Sequence, residues 1–136
     1  MNKLTIINTA IGSFQIFNGL SGLLGGFGLI NDPTGNNLQM KTEWLQKTPF
    51  QDFLIPGIVL FLLVGLANVI GAWITFSKKN KRGLIGLTLG IILMGWIVSQ
   101  VAWIGYKSFL QALYFTTGFV QAILGFYLMR IIQKTQ

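Results

Sequence analysis

The chain has no cysteine and no histidine, and only three of its 136 residues are acidic. Each shortage closes off a class of chemistry. Without Cys there is no disulfide, no thiolate nucleophile and no sulfur ligand for an iron–sulfur centre. Without His the commonest general base and the commonest transition-metal ligand are missing. Charged residues make up 10% of the chain, whereas a soluble domain carries about 25%. Too few remain to cover a water-facing surface, which excludes an ordinary soluble globule. The net charge of +7 is ten Lys and Arg against three acids, too sparse for a nucleic-acid footprint. No cofactor, metal, nucleic acid or soluble substrate is expected.

What is present is apolar length. Hydrophobic residues make up 52% of the chain and fall in long blocks. A helical span needs about 20 predominantly apolar residues, at a rise of about 1.5 Å each. Four segments qualify, at about 4–30, 53–76, 84–106 and 109–132, and none is charged before Arg130. The first outlasts a signal-peptide core and lacks a small-x-small cleavage site, so it reads as an uncleaved span. The expected fold is a single all-α integral membrane domain over residues 1–136, an antiparallel four-helix transmembrane bundle with short loops.

Basic residues orient it. Lys78, Lys79, Lys81 and Arg82 crowd the second loop, Lys3 precedes the first span, and Arg130 and Lys134 close the last. The positive-inside rule then puts that loop and both termini on the cytoplasmic side of the membrane. The three acids, Asp32, Glu43 and Asp52, all fall in the outer first loop, about residues 31–52. Trp73 and Tyr127 sit near inner helix ends, and Trp103, Tyr106 and Tyr114 near outer ends, as interfacial aromatics do.

Small residues and amides mark helix contact faces in lipid. The first span carries Asn8, Gly12, Gln15, Gly19, Gly22 and Gly26 at alternating steps of four and three. The second offers Phe61, Gly65, Asn68, Ala72 and Thr75, and the fourth Gln111, Tyr114, Gly118, Gln121, Gly125 and Leu128. For the third the stripe reads Thr88, Ile92, Gly95, Ser99, Ala102 and Tyr106. The first and fourth helices are expected to close along their seams, with Gly19 near Gly118.

Five amides form the candidate polar cluster: Gln15, Asn18, Asn68, Gln100 and Gln121. Gln15, Asn68 and Gln121 fall at a common depth of roughly 12–17 Å from the inner ends. They suit either interhelical hydrogen bonding or a polar pocket for an amphiphile. Trp96, Gln100 and Trp103 share a second face of a kind that holds a flat ligand. No carboxylate, lysine or histidine falls inside the spans, which counts against a proton-coupled transporter.

In the outer loop, Asp32-Pro33-Thr34-Gly35 matches a type I turn. Leu38, Met40, Trp44 and Leu45 suggest a short amphipathic helix on the membrane surface. Thr48-Pro49-Phe50-Gln51 reads as a helix start with Thr48 as N-cap and Gln51 as its reciprocal partner. Pro56-Gly57 then predicts a kink or a second start. The spacing of the three acids matches no cation loop.

The run from Asp32-Pro33-Thr34-Gly35 through Glu43-Trp44-Leu45 to Thr48-Pro49-Phe50-Gln51-Asp52-Phe53-Leu54-Ile55-Pro56-Gly57 resembles a family of small bacterial four-span membrane proteins. In size and span count the chain is also loosely similar to DoxX-like proteins. The resemblance implies a bacterial cytoplasmic membrane and transfers no site residue. The expected role is a non-catalytic accessory or scaffold subunit in the lipid bilayer, with another membrane protein or a second copy as partner. The alternative is a binding module for a lipid or other hydrophobic small molecule, and a third reading is an oligomeric transporter or channel.

Overall fold

A computed structural model of the protein describes residues 2–135, which form helices and turns with no strand among them. Four long helices carry the fold: α1 (Lys3–Asn31), α2 (Leu54–Phe76), α3 (Arg82–Ile104) and α4 (Phe109–Thr135). Each is long and apolar enough to cross a membrane. The side chain of Asn2 starts α1 by accepting the Thr5 amide at 2.8 Å, which satisfies one of the first-turn donors a helix leaves free.

The interior mixes polar side chains with apolar clusters, and many large apolar side chains face outward. Asn8, Gln15, Asn18, Asn68, Thr75, Gln111, Thr117 and Gln121 are buried, whereas Leu24, Phe27, Trp73 and Phe109 are each at least 60% exposed. Every residue of the stripe read on α1 is buried. Its glycines meet α2 in descending order along that helix. A Cβ on Gly19 would crowd Val69, one on Gly22 would lie 2.6 Å from the Gly65 amide nitrogen, and one on Gly26 would lie 2.6 Å from that of Phe61. The expected Gly19–Gly118 approach is therefore not made. Close backbone packing instead pairs α1 with α2 and α3 with α4, while α1 reaches α4 through longer side chains such as Ile11 and Leu128.

The stripe read on α3 is also corrected. Thr88, Gly95, Ser99, Ala102 and Tyr106 are exposed, and nothing lies within 4 Å of a Cβ built on Gly95. The buried face is Arg82, Gly83, Gly86, Leu89, Gly90, Leu93 and Ile97. Its three glycines face the α4 backbone at Met129, Gly125 and Gly118. Small size marked both faces of α3, and apposed glycines on α4 decide which one is covered.

Within α2, residues Leu60–Leu66 are π-helical, and the Ala67 amide reaches back five residues to the Leu62 carbonyl. The wider turn buries two consecutive residues. Val64 packs with Leu93 and Ile97 of α3, and Gly65 lies against Gly22 of α1. At its far end α2 closes with Lys78 in the left-handed region (φ 58°). The Lys78 and Lys79 amides donate to the Thr75 and Ile74 carbonyls, the pairing that commonly ends a helix with glycine in that place.

The loop between α1 and α2 confirms its first turn and corrects the rest. The Gly35 amide donates to the Asp32 carbonyl at 3.0 Å, and Gly35 takes a φ of 79°, which suits a residue without Cβ. The Asp32 carboxylate accepts from the Thr34 hydroxyl at 2.6 Å and from the Thr34 and Asn37 amides. These bonds, the Thr34 hydroxyl first, hold its pKa below the ordinary aspartate value. No amphipathic surface helix forms. Two short 3-10 turns, Asn36–Leu38 and Thr42–Leu45, fold back so that Leu45 packs with Leu29 and Phe53 over the helix ends.

Thr48 does not cap a helix. Its hydroxyl donates to the Leu45 carbonyl and accepts the Phe50 amide. α2 begins at Leu54, where the Asp52 carboxylate accepts the Leu54 amide at 3.0 Å. Pro56 consequently falls in the first turn, where its missing N–H removes no helical bond. The S-x-x-Q capping pair lies at Ser108 and Gln111 instead: Ser108 accepts the Leu110 amide, and Gln111 accepts the Ser108 amide.

Candidate functional site: a polar core and an adjoining cleft

Four of the five candidate amides lie at full burial, with Gln15, Asn18, Asn68 and Gln121 all at 0% exposure. Gln121 on α4 is the hub. It accepts from Asn18 Nδ2 at 2.9 Å and donates to Asn68 Oδ1 at 3.2 Å and to the Gly86 carbonyl at 3.1 Å. One side chain thereby ties all four helices together. Thr117 extends the group by donating to Asn18 Oδ1 at 2.8 Å, and Asn68 returns its own N–H to the Val64 carbonyl in the π segment.

Gln15 belongs to a second chain. It accepts from the Thr75 hydroxyl at 2.7 Å, Asn8 donates to the Thr75 carbonyl, and Arg82 Nε donates to Asn8 Oδ1 at 2.7 Å. The Gln15 Nε2 is buried with no acceptor among the described residues. Arg82 and Thr117 were missed as members of these networks. Thr117 is next to Gly118 on a recognised seam, which was a usable signal. Arg82 gave none, because its burial depends on Asn8, 74 positions away.

Gln100 is separate from the cluster. It accepts from Gln111 Nε2 at 3.3 Å, near the α3–α4 turn. It helps line a cleft of about 630 Å³ between α1, the π segment of α2, α3 and α4, beside the α1–α2 loop. Leu60, Val64, Leu93 and Ile97 give the cleft apolar walls, Asn18 links it to the polar core, and Lys107, Ser108 and Gln111 stand at the α3–α4 turn. Trp96 lines it as well, and its indole N–H is buried without an acceptor among the described residues. The expected Trp96–Gln100–Trp103 face is divided. Trp103 lies away from the cleft, 49% exposed with its ring 5.7 Å from that of Phe50.

The site sets hydrogen-bonding side chains beside apolar walls. The cleft's one charged lining residue, Lys107, has its Nζ 5.3 Å over the Trp44 ring. Among the described residues no three carboxylates gather to hold a metal ion. A volume of this size, mostly apolar with a few placed polar groups, is that of a small-molecule pocket. Compared with protein families, curated proteins and solved structures, the chain matches none.

Proposed function

We propose that this chain is a non-catalytic integral membrane protein that binds a lipid or other hydrophobic small molecule in the cleft between its helices. In this reading the four helices cross a cytoplasmic membrane as an antiparallel bundle, with both termini and residues 78–82 on the cytoplasmic side. The cleft carries the proposal, since it combines apolar walls with the amides of Asn18, Gln100 and Gln111 and is lined by Trp96, whose buried indole N–H is unpartnered among the described residues. A buried donor without a partner is unfavourable, and a ligand oxygen that reached it would remove that cost. The apolar exterior supports insertion. Exposed Trp73 and Tyr127 near one end, and Trp103 and Tyr106 near the other, sit where aromatic belts form.

A second reading, a scaffold or accessory subunit joined to another membrane protein or to itself, draws on α3. Its Thr88, Gly95, Ser99 and Ala102 are small and face outward rather than into the protein, the residue types that helix–helix interfaces in lipid favour.

Native mass spectrometry after mild purification tests the first reading. A hydrophobic molecule should accompany the wild type and be lost from Ser21→Trp, whose new side chain fills the cleft. Equal occupancy in both would exclude the cleft as the site. Topology is tested separately with single cysteines at positions 36 and 80 and an impermeant thiol reagent on intact cells. Position 36 should label and position 80 should not.

A further inference from the structure

We propose that Arg82 is the fixed part of a binding site for the phosphate of an anionic lipid headgroup. The location rests on the four-span reading but not on the cleft. Arg82 is 7% exposed, and a buried guanidinium is unfavourable unless its charge is met. No carboxylate side chain is available to meet it. The chain's only acids, at positions 32, 43 and 52, follow the opposite end of α1. Along that helix Asp32 is about 36 Å from Asn8, the residue that holds Arg82.

Two interactions fix the guanidinium in place: Nε donates to Asn8 Oδ1 at 2.7 Å, and Nη1 donates to the Lys79 carbonyl at 2.8 Å. A guanidinium has five N–H donors. The others have no acceptor among the described residues, yet no Arg82 nitrogen is both buried and unpartnered. The free edge therefore reaches the surface. It does so beside Lys78, Lys79 and Lys81, all exposed, at the end of the molecule that also carries Lys3 and Arg130.

A rigid planar donor set matches two phosphate oxygens at once, and mobile ammonium groups nearby add long-range attraction. Asn8 and the Lys79 carbonyl hold the fork in one orientation before any ligand arrives, which lowers the entropy lost on binding. A free phosphate ester shares this chemistry. A lipid is favoured because apolar surface adjoins the cations: Trp73 is 64% exposed with Lys79 Nζ 5.7 Å over its ring, and Phe76 is 45% exposed. Acyl chains would lie against that surface.

The experiment measures thermal shifts and native mass spectra of the full chain in neutral detergent. The added probes are phosphatidylglycerol, phosphatidylcholine and soluble glycerol phosphate. Wild type should be stabilised by phosphatidylglycerol well above phosphatidylcholine, with one tightly retained lipid. Arg82→Lys should weaken that lipid at least tenfold, because an ammonium lacks the planar fork. Lys78→Gln, Lys79→Gln and Lys81→Gln together should weaken it in a salt-dependent way and keep the single site.

Asn8→Asp separates binding from folding. It supplies the missing carboxylate to Arg82 but loses the Asn8 Nδ2 bond to the Thr75 carbonyl, so stability without lipid should stay near that of wild type while the preference for phosphatidylglycerol is abolished. A purely structural Arg82 would leave that preference unchanged in Asn8→Asp and Arg82→Lys, and that result would overturn the proposal. A shift of equal size with glycerol phosphate would also overturn it, in favour of a soluble ligand. Labelling at positions 36 and 80 reports on the four-span reading independently.

Discussion

Gly90 of α3 and Gly118 of α4 pack backbone to backbone, so that a Cβ on Gly90 would lie 2.6 Å from the Gly118 carbonyl oxygen. No side-chain rotation can relieve that contact. Gly90→Ala should cost about 1–3 kcal/mol of stability through forced backbone shifts. Gly95→Ala, with nothing within 4 Å of its Cβ, should instead stabilise by roughly 0.5–1 kcal/mol through lower chain entropy. Thermal unfolding of the two variants in the same detergent checks the pair, and equal effects would contradict the packed face assigned to α3.

The two networks predict unequal costs for two glutamines. Gln121→Leu leaves Asn18 Nδ2 and Asn68 Oδ1 without their partner and frees the Gly86 carbonyl. Gln15→Leu breaks only the Thr75 hydroxyl bond and deletes an amide nitrogen that had no acceptor. Each stranded buried group costs about 1–3 kcal/mol. Denaturation midpoints should therefore fall further for Gln121→Leu, and the reverse order would remove Gln121 as the hub.

These contrasts also show how far the residue pattern could be read. On α1 the spacing of glycines and amides identified the buried face, because size and polarity pointed the same way. On α3 they did not, since Gly95 and Ser99 resemble Gly83, Gly86 and Gly90 until the glycines of α4 are placed opposite. Depth along a helix brought Gln15, Asn68 and Gln121 to one level but could not tell which helices are neighbours. Asn18, rather than Gln15, bonds to Gln121. In the sequence Arg82 counts only as one of four loop charges that orient the chain, and only the fold places Asn8 against it. At the start of α2, Thr48 and Gln51 had the right spacing for a cap, but the turns that bury Leu45 and Phe53 draw that segment away from helical geometry.

Lys78 occupies a left-handed conformation at the end of α2 with φ 58°. A side chain with Cβ pays about 1 kcal/mol or more there, and glycine does not. Lys78→Gly should accordingly raise stability by about 1 kcal/mol, measured by thermal unfolding without added lipid. A decrease would mean that the lysine side chain makes a stabilising contact that offsets the strain.

The turn at Asp32 should respond to acid. Asp32 has a folded pKa below its ordinary value because it accepts the Thr34 hydroxyl and two amides. The depressed value means that its carboxylate stabilises the turn above the unfolded aspartate pKa, about 3.9. That contribution is lost as pH falls through the lower folded value. Hydrogen exchange at the Thr34 and Asn37 amides should quicken over that interval relative to an acid-insensitive α1 amide. Asp32→Asn should remove the transition, and if it persists the titrating group is another carboxyl.

The distribution of charge has an electrical consequence. Seven cationic side chains belong to one end of the helices, at positions 3, 78, 79, 81, 82, 130 and 134, while the three remaining lysines balance the three acids at the other. Carrying one elementary charge across a potential of 100 mV involves about 2.3 kcal/mol. For a span-crossing molecule with this distribution, inversion against an inside-negative potential would involve about 16 kcal/mol of electrical work on those seven charges, before any desolvation. For a chain inserted with its cationic end on the negative side, an energised membrane would therefore act as a one-way latch on that orientation.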